Sequence, residues 1–116
     1  MANTNIEVDE VTIKGVTYVP KGSETAVAPI KGKRAVVVID RGWIVAGDVT
    51  EYTESGTPRV KLTRALHVFS FSSIGFAGMV DSPKSKNVDL RTMKQGFDFP
   101  LGSEIFRVWV DDNWGL

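Results

Sequence analysis

Two apolar runs, residues 35–39 and 43–49, dominate the pattern of hydrophobic and polar positions along the chain. Asp40-Arg41-Gly42 lies between them with turn chemistry: an aspartate that can bond its own backbone, then a glycine with free φ. In the second run Trp43, Val45, Gly47 and Val49 share one face, and Ile44, Ala46, Asp48 and Thr50 the other. Both faces are partly apolar, so the pattern predicts a two-sided sheet or partly open barrel rather than a sheet open to water.

Further elements follow from the same alternation. Residues 51–59 predict a polar turn centred on Ser55-Gly56-Thr57-Pro58. Val60 and Leu62 begin a return strand, and a longer strand covers 65–71, with Leu66 and Val68 on one face and His67, Phe69 and Phe71 on the other. Residues 72–80 predict one or two helical turns, capped by Ser72 or Ser73, with Ile74, Ala77 and Gly78 on one side. Gly75 and Gly78 each cost about 1 kcal/mol of helix propensity, which keeps that element short. Extended pieces at 88–90 and 97–99 precede a last strand at 104–110, where Phe106, Val108 and Val110 face inward and Ile105, Arg107 and Trp109 outward. Upstream, residues 1–10 are a polar tail, 11–19 a hairpin turning at Lys14-Gly15, and 20–33 a linker rich in breakers. The expected fold is mainly β: a small antiparallel sheet with one short helix and an N-terminal β-hairpin, compact over 34–116.

Composition agrees. Valine and isoleucine number 23 against five leucines, and 11 glycines with five prolines leave little room for a long helix. At 116 residues there is material for one domain. The absence of cysteine excludes disulfides, thiolate nucleophiles and cysteine-ligated metals. Fourteen basic residues balance fourteen acidic ones, so no global field favours nucleic acid or a membrane surface. No apolar stretch nears the roughly 18 residues that cross a bilayer, and Met-Ala-Asn-Thr-Asn has no leader character. The expected location is the cytoplasm.

Candidate chemistry is sparse. His67 is the only histidine, and its alternation with Phe69 and Phe71 predicts packing rather than proton transfer. Asp111 and Asp112 point opposite ways on an extended chain, Asp40 suits its turn, and each of these, like Asp48, is expected to have an ordinary structural or solvated role. Neither Gly75-x-x-Gly78 nor Gly32-Lys33-Arg34 fits a phosphate loop. The reading therefore assigns no catalytic residue, metal or cofactor. What remains is basic and aromatic: Arg41 and Trp43 around a turn, then Arg59, Lys61, Arg64 and His67 around the following strands. Arginine clamps phosphate through a planar fork and tryptophan stacks on a base, so these six form the ligand-binding candidates. Arg107, Trp109 and Trp114 are the interface candidates, because aromatic anchors and arginine are enriched where subunits meet.

The segment running from Arg34 through Val49, together with Val60-Lys61-Leu62-Thr63-Arg64-Ala65-Leu66-His67-Val68-Phe69, resembles a family of small bacteriophage-encoded proteins classed as a domain of unknown function. The resemblance spans about residues 34–110, and it implies an accessory phage protein acting in the cytoplasm of an infected bacterium. The leading expectation is a noncatalytic, self-associating protein that binds or sequesters an anionic nucleotide, cyclic or linear, in a pocket between subunits. Its alternative is a virion-associated or host-protein-binding module without a small ligand. A small phosphodiesterase-like enzyme built around His67 is third.

Overall fold

A computed structural model describes residues 11–13, 16–18 and 27–116. Strands β1 (Val11–Ile13) and β2 (Val16–Tyr18) pair antiparallel, with Val11 opposite Tyr18, as the expected hairpin requires. Its Lys14-Gly15 turn and last residue Val19, the tail 1–10 and residues 20–26 of the linker lie outside the described residues.

The main sheet contains β3 (Arg34–Ile39), β4 (Trp43–Glu54), β5 (Thr57–Phe71), β6 (Val88–Met93), β7 (Phe97–Pro100) and β8 (Glu104–Trp109). Its order is β6-β5-β4-β3-β8, all antiparallel, and β7 adds to β5 ahead of β6 along the same side. The fold is mainly β with one short helix, α1 (Gly75–Asp81), and its sheet does not close into a barrel. The polar turn expected over 51–59 shrinks to Ser55-Gly56, both at positive φ, the two-residue geometry that matches strand twist. The two return strands expected after it are one continuous β5.

Two bulges make that length possible. Ala46 faces Leu66 but Asp48 faces Thr63, so β5 carries one extra residue opposite Gly47. Simple alternation after Val60 and Leu62 would aim Arg64 into the same apolar face. The bulge, with Arg64 at φ 48°, turns it toward Asp48 and gives its place to Ala65. A second bulge lies between Val68 and Ser70 and moves Phe71 to the face of Leu66 and Val68, correcting the expected side.

Each face of the sheet buries its own core. Ala35, Val37, Ile39, Val45, Val49, Val60, Leu62, Ala65 and Phe99 pack on one side, with Phe97 and Leu101 against them. No α1 residue joins this group; Phe97 and Phe99 of β7 and Leu101 just after it complete it. On the other side Val36, Ala46, Leu66 and Val68 meet Met79 of α1 and Trp114. The helix is held by that contact and not by a serine cap, since its N-cap is Ile74 and no side chain bonds there. Phe106, expected inward, is half exposed, because β8 is an edge strand; the ring of Phe76 meets it edge to face at 5.7 Å.

Candidate functional site

Asp48, Arg34 and Arg64 form an ion cluster at the heart of the domain. Arg34 and Asp48 face each other across β3 and β4 and are both fully buried. Asp48 accepts hydrogen bonds from Arg34 Nη1 at 3.1 Å, from Arg64 Nε at 2.7 Å and Nη2 at 3.1 Å, and from the Ile30 N–H at 3.3 Å. Burial alone would raise the Asp48 carboxyl. The bonds from Arg64, Arg34 and Ile30 outweigh it and hold the group below the ordinary carboxylate range. Arg34 moves down from its usual value, chiefly through burial.

This cluster also ties down the C-terminal segment. Arg34 Nε donates to the Trp114 carbonyl at 2.8 Å, and Arg64 donates to Asn113 Oδ1 at 3.0 Å and to the Asp112 carbonyl. The Gly32 N–H donates to Asp112 Oδ1 at 2.8 Å. Trp114, an interface candidate in the sequence, lies in the second core of its own chain, its indole N–H donating to the Val80 carbonyl at 2.8 Å. Its polar edge is satisfied internally, and its apolar area fills the gap between α1 and Leu66.

The ligand candidates separate into two groups. Arg59 is engaged by Asp98 at 2.5 Å, with Glu54 3.8 Å away and Tyr52 bonded to the same aspartate; the Asp98 hydrogen bond holds its guanidinium above the ordinary value. Arg64 serves the internal cluster and is 11% exposed. Lys61 and Arg41 are exposed. Trp43 and His67 do meet: their ring centroids are 5.0 Å apart. His67 lies across from Val45 on β4 and Arg91 on β6, so Trp43, two residues before Val45, is its diagonal neighbour. Phe69 stands 6.0 Å from His67, edge to face, and the Arg91 guanidinium covers its ring at 3.8 Å. Phe97 approaches Trp43 at 6.5 Å and leads down to Phe99 in the first core.

The result is a shelf of rings on one sheet face. Half-buried His67 sits between Trp43 and Phe69, which remain 47% and 55% exposed. Flat π faces of this kind stack planar groups, and His67 adds a polar ring edge for orientation. The alternation of Trp43 with Val45 and of His67 with Phe69 carried this signal in the sequence. Arg91 and Phe97 carry no such signal, because their strands are short and pair with β5 over long separations. Arg107, the remaining interface candidate besides Trp109, is bidentate to Glu104 at 2.6 Å and bonds Glu51 at 3.1 Å. No group of His, Asp and Glu among the described residues is arranged to hold a metal ion, and no helix among them is long and apolar enough to cross a membrane. No family model, curated protein or solved structure matches this chain.

Proposed function

We propose that this chain is a noncatalytic binding protein that takes a flat ring, a nucleobase or nucleotide, on the shelf of Trp43, His67 and Phe69. The observation that carries the proposal is the exposure of two large rings beside an imidazole on one rigid sheet face, where they fill no core of their own. Arg59 and Arg64 are held by carboxylates of the chain itself, so recognition rests on stacking and not on a phosphate clamp. Arg91, also paired with Asp89, offers a cation face rather than a free charge. In the phage setting that the resemblance implies, such a protein would sequester a nucleotide in the infected cell.

Isothermal calorimetry with adenosine, AMP, UMP and a cyclic dinucleotide tests this. Binding of the nucleoside and its monophosphate with similar affinity is expected, with little salt dependence. Trp43→Ala should weaken it by about 1–3 kcal/mol, the scale of one stacked base. Absence of heat for every probe at millimolar concentration, with the protein folded, refutes the proposal.

A further inference from the structure

The sheet ends at β8, which pairs with β3 on one side; among the described residues nothing pairs with its other side. The Val110 N–H donates to the Arg34 carbonyl at 2.9 Å. In an antiparallel ladder the bonded positions alternate, so Phe106 and Val108 also turn their backbone groups toward β3, while Arg107 and Trp109 turn theirs outward. An uncovered ladder of this kind is a template for another strand. Two of the usual protections, proline and lysine, are absent from β8, whose charges Glu104 and Arg107 pair with each other, and the strand exposes Ile105, Phe106 and Trp109 at 60%, 46% and 52%. Two grooves, of about 490 and 430 Å³, lie on either side of Trp109, the first reaching Trp114 and Lys84 and the second reaching Ile30 and Lys33.

We propose that β8 pairs with β8 of a second copy of this chain, antiparallel about a two-fold axis through Val108. Under a two-fold perpendicular to the sheet, each residue meets one whose number sums with it to a fixed even value, which leaves few registers. Centring on Arg107 would set two guanidiniums face to face and run the ladder into the irregularity where β3 shifts between Val38 and Ile39. Centring on Val108 avoids both. It sets Arg107 opposite the partner's Trp109 twice, Phe106 opposite the partner's Val110 twice, and the two Val108 side chains together. Arg107 already lies 5.3 Å from the ring of its own Trp109, so the cation-over-indole contact is one this strand makes by itself. Glu51 and Glu104 offset the two guanidiniums that the pairing brings near each other. This self-complementarity singles out a second copy over a foreign strand. The interface is small beside the roughly 800 Å² per partner of a standard one, so the dimer forms at high concentration and dissociates on dilution. The inference stands independently of the aromatic shelf.

The chain's lack of cysteine makes the register directly readable. Val108→Cys should form a disulfide-linked dimer under mild oxidation, since non-bonded antiparallel pairs bring Cα atoms to about 4.5 Å, within disulfide reach. Arg107→Cys mixed with Trp109→Cys should give the mixed dimer far in excess of either homodimer. Sedimentation velocity of the unmodified chain should show a rise in mass between about 10 μM and 1 mM, abolished by Trp109→Glu with an unchanged circular dichroism spectrum. A monomeric mass throughout, or cross-linking of Arg107→Cys alone in place of Val108→Cys, overturns the proposal.

Discussion

Replacing Asp48 by asparagine keeps the side-chain shape and removes the fully buried negative charge. The amide then presents two N–H donors toward guanidiniums that also only donate, and both cations are left without a counter-charge, one of them fully buried. Breaking a buried ion pair from one side costs about 3–5 kcal/mol. Domains of this size are stable by only about 5–15 kcal/mol. With a urea slope near 1.5 kcal/mol/M, the unfolding midpoint should fall by roughly 2–3 M. The slope itself should not change, because the surface exposed on unfolding is the same. Raising NaCl to 0.5 M should leave the difference intact, since ions do not screen a pair they cannot reach. The double variant Arg34→Met/Asp48→Leu removes opposite charges together and should be more stable than Asp48→Leu alone. A midpoint shift below 0.5 M for Asp48→Asn, or a double variant as damaged as the sum of its singles, refutes the idea that the carboxylate holds the cluster together.

Two other outcomes follow from the same region. Gly47→Ala places a Cβ 2.9 Å from both Leu62 Cβ and the Thr63 carbonyl, so the bulge must open, and a loss of about 1–3 kcal/mol is expected in thermal or urea unfolding. Asp48 has a carboxyl depressed in the folded state, so its stabilising contribution is complete above the ordinary carboxylate range and disappears as pH falls through the lower folded value; acid titration of the urea midpoint should show this decline in the unaltered chain and a shallower one in Asp48→Asn.

Local chemistry made the strands, the two-sided sheet and the Asp40-Arg41-Gly42 turn legible, because each depends on residues within a few positions. The division of β4 into a Val45/Val49 face and an Ile44/Ala46 face was readable for the same reason. Bulges were not. One extra residue opposite Gly47 reverses the parity of everything after it, so Arg64 reads as a ligand-binding candidate in sequence while serving as an internal counterion. The second bulge misdirects Phe71 in the same way. Trp114 carries no strand or helix signal and follows two aspartates, so nothing nearby announces that Val80, 34 residues earlier, supplies its acceptor. Of the aromatic shelf, the alternation showed Trp43 and His67 but not their meeting, which depends on the β4–β5 register.

The bond between Arg34 and the Trp114 carbonyl spans 80 residues, and it orders events during synthesis. At a translation rate of about 5–20 residues per second, the β3 arginine waits roughly 4–16 s after leaving the ribosome's active centre before its acceptor has been made. Until then the second core lacks its indole, and the β3–β4 hairpin carries an open slot beside Leu66. A chain cut short ahead of Trp114 therefore lacks both that acceptor and the indole, and the sheet it forms keeps the Leu66 side unsealed.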